Sequence, residues 1–113
     1  MLVFATETSC DETSICLMED QKIIDHIIFS QEIHKAHGGV VPELASRSHL
    51  EKLQEITEII FKTNKIKAED IDIFTATCGP GLIGSLLVGS TYTKSLALSV
   101  GKPFVPINHL EGH

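Results

Sequence analysis

The feature that most constrains this chain is a change of hydrophobic period near residue 42. Before it, apolar and β-branched residues come in short runs, 2–7, 14–18 and 23–29, separated by Thr8-Ser9-Cys10-Asp11-Glu12-Thr13 and Glu19-Asp20-Gln21-Lys22. Runs of that length bounded by polar turn residues predict three strands joined by two hairpins. After a loop over 30–41, Pro42 suits the first turn of a helix, where its missing N–H is no loss. Leu50, Leu53, Ile56 and Ile60 then recur at spacings of three and four, with Glu51, Lys52, Glu55 and Glu58 left for water. That single apolar stripe predicts a helix over 43–63.

Residues 71–77 read as a strand buried between neighbours. Gly79, Pro80, Gly81 and Gly84 follow, and then a second helix to about Val100, apolar almost all round and therefore expected to be buried. Gly101 is placed to cap it and Pro103 to stop it. A fifth strand over 103–107 leads into His109-Leu110-Glu111-Gly112-His113. The resulting order β-β-β-α-β-α-β, three antiparallel strands followed by helix-linked parallel ones, is ribonuclease-H-like and of the α/β class.

Composition narrows the function classes. The chain has 113 residues, of which 42% are hydrophobic and 21% charged. That supports one core and argues against disorder. Gly84, Ser85, Gly89 and Ser90 interrupt the most apolar stretch, so no run reaches the roughly 18 residues of a membrane helix. No membrane association is expected, and without a secretory n-region the expected location is the cytoplasm. Cys10, Cys16 and Cys78 have no C-x-x-C spacing and read as ordinary reduced thiols. The formal charge of −6 makes these residues a poor surface for RNA, whose phosphates are neutralised by Lys and Arg.

Three constellations could carry chemistry. In Glu7-Thr8-Ser9-Cys10-Asp11-Glu12-Thr13, hydroxyls and carboxylates crowd a turn that could face phosphate oxygens or a Mg²⁺ ion, or simply bond its own backbone. Gly79, Gly81 and Gly84 match G-x-G-x-x-G after a strand and before a helix. They allow close strand–helix packing, a phosphate contact at the helix start, or a dinucleotide site. The last lacks the acidic residue about 20 positions on. His109 and His113 stand four apart, so on a helix both imidazoles share one face and can share a metal. Six histidines make such a pair unsurprising by chance. His34 and His37 beside Gly38-Gly39, and Arg47 with Lys52 on a helix face, read first as ordinary loop and surface residues.

Taken in order, Glu7-Thr8-Ser9-Cys10-Asp11-Glu12-Thr13-Ser14, Gly38 to Arg47 with His49, Gly79 to Gly89, and Asn108 to His113 resemble the TsaD family of tRNA N6-threonylcarbamoyladenosine synthases. The resemblance implies an actin-like, sugar-kinase-like ATPase fold of two ribonuclease-H-like lobes with the site between them. It implies transfer of a threonylcarbamoyl group from threonylcarbamoyl-AMP to N6 of adenosine 37 in tRNAs reading codons that begin with A. His109 and His113 would then hold one divalent metal per subunit, iron or zinc. Thr8, Ser9, Asp11, Glu12 and Thr13 would form the phosphate-side loop of an ATP/AMP-type nucleotide, with Asp11 and Glu12 as candidate catalytic groups and Mg²⁺ as a further ion. Implied partners are tRNA, a TsaB-like paralogue and a TsaE-like ATPase, with a homodimer as another arrangement. Members of the family are much longer, so residues 1–113 are expected to be a single N-terminal lobe, inactive alone, with the second lobe absent. A competing reading is a non-catalytic TsaB-like binding or dimerisation module. The protease label once attached to the family finds no support, because Leu110 stands where H-E-x-x-H needs its glutamate.

Overall fold

A computed structural model describes residues 1–9, 12–30, 42–78 and 83–108. Within them the chain forms β1 (Leu2–Ser9), β2 (Glu12–Glu19), β3 (Lys22–Ser30), α1 (Pro42–Asn64), a short 3-10 turn (Ala68–Asp70), β4 (Ile73–Cys78), α2 (Ile83–Val100) and β5 (Phe104–Asn108). The sheet order is β3-β2-β1-β4-β5. β1, β2 and β3 pair antiparallel, while β1 with β4 and β4 with β5 pair parallel. This is the ribonuclease-H-like α/β arrangement expected from the period change. No helix among the described residues is long and apolar enough to cross a membrane.

Local chemistry explains most boundaries. Asp20 and Gln21 join β2 to β3 with φ of 49° and 71°, a turn whose twist matches that of the flanking strands. Gly101 ends α2 at φ 68°, and Lys102 N–H donates to the Ala97 carbonyl at 3.0 Å. That is the glycine cap that the sequence predicts. Lys65 takes the same role after α1 at φ 55°, with Ile66 N–H on the Phe61 carbonyl at 3.0 Å. β4 starts two residues later than expected. Asp72 is occupied in fastening the start of β1, accepting from Leu2 N–H at 2.7 Å and donating its own N–H to the Leu2 carbonyl at 2.8 Å.

Both helices lie on one face of the sheet. The core between them contains Phe4, Ile15, Leu17, Phe74, Leu53, Ile56, Ile60, Ile71 and Ala97. Two expectations need correction. Leu50 does not belong to the buried stripe; it is 42% exposed, and His49 is fully buried in its place. Residues 49, 53, 56 and 60 keep the four-three-four spacing of a helix face, whereas residue 50 is rotated about 100° from residue 49. α2 is not buried all round either. Leu86, Thr93 and Ala97 face the sheet, while Leu87 and Leu98 are 57% and 71% exposed.

Candidate functional site

Because β1, β4 and β5 run parallel, their C-terminal ends lie at one edge of the sheet. Ser9 ends β1, Cys78 ends β4 and Asn108 ends β5, with Cys78 and Asn108 in direct register. The chain therefore leaves this edge toward the turn after Ser9, toward the glycine segment after Cys78, and toward His109 after Asn108. Ser9, Cys78 and Asn108, the last described residues of their strands, thus share the edge where α/β sheets gather their ligands.

Strand alternation divides the first constellation between two faces. β1 and β2 reach further than expected, so the hairpin connection is only residues 10 and 11. Glu7 and Ser14 are cross-strand partners, as are Thr8 and Thr13, and Ser9 and Glu12. Glu7, Glu12, Ser14, His26 and Ile28 line a hollow of about 150 Å³ on the face away from the helices. It adjoins a second of about 140 Å³, which includes Cys16, Thr75 and Thr77. Burial holds the Cys16 thiol above its ordinary range, and the Asp25 carboxylate acts in the same direction. This thiol is a poor nucleophile at neutral pH.

Thr8 and Thr13 point the other way and are fully buried. Thr13 Oγ1 lies 2.6 Å from His49 Nδ1 of α1. Thr8 packs against Gly89 of α2, where a Cβ would come within 3.3 Å of both the Thr8 Cγ2 and Cβ. One step further from the edge, Thr6 Oγ1 is 2.7 Å from Thr93 Oγ1. Thr93 gives its own proton to the Gly89 carbonyl at 2.7 Å, so Thr6 is the donor. A seam of buried hydroxyls thus links the edge of the sheet to both helices.

The remaining expected residues are placed as follows. Glu12 is exposed at the sheet edge, and Gly84 lies in the first turn of α2. Asp11, Gly79, Gly81, His109, His113, His34 and His37 fall outside the described residues. Lys52 lies 4.8 Å from the centre of the Phe29 ring and pairs with Glu55 at 3.3 Å, so it is an ordinary surface cation. No cluster of three His, Cys, Asp or Glu side chains suited to a metal occurs among the described residues. The donor chemistry of His109 and His113 nonetheless suits iron or zinc, since paired imidazoles are nitrogen ligands for both. β5, the strand before them, ends at Asn108. His49, Thr93 and Gly89 were not among the expected site residues. Two signals were available: His49 sits on the stripe of Leu53, Ile56 and Ile60, and both His49 and Gly89 belong to the stretches that carry the family resemblance.

The sequence profile of the family described as "TsaD: tRNA N6-adenosine threonylcarbamoyltransferase" matches residues 22–113. Proteins named tRNA N6-adenosine threonylcarbamoyltransferase from Caldicellulosiruptor bescii, Kosmotoga olearia and Fervidobacterium nodosum are 51%, 49% and 53% identical to the chain. Each alignment covers 100% of this chain and 34% of the relative. The chain thus spans about a third of the length of these relatives. Among solved structures, YeaZ from Pseudomonas aeruginosa superposes with a TM-score of 0.72 at 13% identity, over 96% of this chain and 45% of that one. RuvC from T. thermophilus, in complex with a Holliday junction substrate, gives 0.60 at 7%, over 97% and 66%. At such identities these two establish the fold alone.

Proposed function

Since the chain belongs to the TsaD family of tRNA N6-adenosine threonylcarbamoyltransferases, we propose that its gene product transfers a threonylcarbamoyl group from threonylcarbamoyl-AMP to N6 of adenosine 37 in tRNA. The observation that carries this reading is identity of about half with those enzymes across the whole chain. The convergence of three parallel strand ends on one edge supports it. The N6 amine attacks the carbamoyl carbon, a C–N bond forms, the C–O bond to AMP breaks, and N6 loses a proton. Asp11 and Glu12 serve the phosphate side of the adenylate, Glu12 from its exposed place at the sheet edge. There they orient the leaving group or accept the proton.

His109 and His113 hold an iron or zinc ion. When bound, the ion supplies Lewis-acid polarisation and a point of attachment that orients the threonylcarbamoyl group. With a formal charge of −6, this segment leaves tRNA phosphates to residues outside it or to partners, among them a TsaB-like paralogue and a TsaE-like ATPase.

The test is mass spectrometry of nucleosides from tRNA incubated with the purified gene product and threonylcarbamoyl-AMP. Threonylcarbamoyladenosine is expected, with loss on His109→Ala. A product that binds a TsaD-family enzyme yet modifies no tRNA would instead be a non-catalytic, TsaB-like module.

A further inference from the structure

The end of the β1–β2 hairpin is gripped from beneath by both helices, at one residue pair. Thr8 and Thr13 face each other across the strands, both fully buried. Each meets a different helix, Thr13 through its hydrogen bond to His49 Nδ1 at 2.6 Å and Thr8 through contact with the backbone of Gly89. Packing alone does not call for this arrangement. Valine has the shape of threonine, and burying a hydroxyl and an imidazole is unfavourable unless they are hydrogen-bonded. What the bond adds is direction. It fixes the rotation of β2 against α1 at the pair immediately beneath Ser9 and Glu12, the pair that stands at the site edge.

We propose that His49 is a positioning residue that, through Thr13 and with Gly89 seating Thr8 against α2, holds the Ser9–Glu12 pair in the geometry that receives the phosphate side of the nucleotide. The proposal rests on the reading of this edge as the phosphate side of an adenylate site. His49 is two helical turns into α1 and acts through Thr13.

Calorimetric affinities of AMP and adenosine for the complete gene product test the two separately. The wild-type AMP-to-adenosine ratio reports the phosphate-side reading. Its change on substitution reports the positioning. AMP is expected to bind more tightly than adenosine. Thr13→Val, which keeps the shape and so the fold, and His49→Leu should each lower the ratio about three- to tenfold, the worth of one buried hydrogen bond, with adenosine affinity unchanged. The double variant should lose no more than either single one. His49→Asn, whose amide occupies the Nδ1 position, should restore the ratio. A ratio unmoved by Thr13→Val, or additive losses in the double variant, overturns the positioning role. A wild-type ratio near one overturns the phosphate-side reading and the proposal with it.

Discussion

Along β1 the interface with the helices changes character halfway. At its start Phe4 packs with Phe74 and Phe61, ring centres 5.5 and 5.9 Å apart, over Ile56, Ile60 and Ile71. At its end Thr6, Thr8, Thr13, Thr93 and His49 are just as deeply buried, yet they meet through hydroxyls and a ring nitrogen. The first half gathers free energy from non-directional burial. The second half gathers less but fixes angles, because hydrogen bonds weaken steeply off line. The directional half lies under the candidate site. The structure therefore separates the part that holds the fold from the part that sets the geometry.

The largest expected effect belongs to the apolar half. Phe4→Ala removes a fully buried ring and should destabilise the chain by about 3–5 kcal/mol in urea unfolding. A loss below about 1 kcal/mol would break the contrast, since it would leave the apolar half no more stabilising than one hydrogen bond. Next comes Gly89→Ala at the boundary. Alanine is favoured over glycine inside a helix by about 1 kcal/mol, so a net loss of about 1–3 kcal/mol, the range for overpacking, would mean that the clash with Thr8 outweighs propensity. The loss should shrink in a Thr8→Ala background, and a stabilised Gly89→Ala would show that α2 can back away from β1. Smaller again is Thr13→Val, about 1 kcal/mol. Its signature is locality: amide exchange should quicken at Ser9 and Glu12 while amides around Phe4 stay as protected as in the wild type.

The two halves also differ in how legible they were. Hydrophobic period located the strands, Leu53, Ile56 and Ile60, and the ends at Pro42 and Gly101, because burial and capping are written in local spacing. The polar half resisted. Threonine suits strands, turns and surfaces alike, and nothing local says that Thr13 meets a histidine 36 positions on. The turn residues 8–13 read as one polar cluster, but pairing extends the strands through Ser9 and Glu12. Alternation then sends Thr8 and Thr13 down while Glu7 and Ser14 face up. Hydrophobicity alone puts Leu50 on the stripe, yet helix geometry gives the place to His49, whose partner only the assembled sheet supplies.

Tyr92 offers the finest test of the contrast, because its polar contact joins helix to helix and touches no strand. Its hydroxyl donates to Thr57 Oγ1 at 2.8 Å, and Thr57 donates onward to the Leu53 carbonyl at 2.7 Å. Tyr92→Phe should therefore lower stability by about 0.5–1 kcal/mol at neutral pH and leave exchange at Ser9 and Glu12 unchanged. A change there would mean that the helix pair and the hairpin end move as one unit. The alkaline limb adds a second readout. Burial pushes the Tyr92 phenol up, Glu58 pushes it further, and the contact with Thr57 opposes them. The unfolded chain then gives up this proton first, near pH 10, the ordinary phenol value. Above that pH the folded state binds more protons than the unfolded one, so the stabilisation is intact below about pH 10 and is lost as pH rises from there through the folded value. Lysines titrate in the same window, but they are common to both proteins. The difference between wild type and Tyr92→Phe, followed by urea midpoints from pH 8 to 11, should thus be flat below about pH 10 and narrow above it. A gap that widens with pH would reverse the sign and place the phenolate, rather than the phenol, in the folded interface.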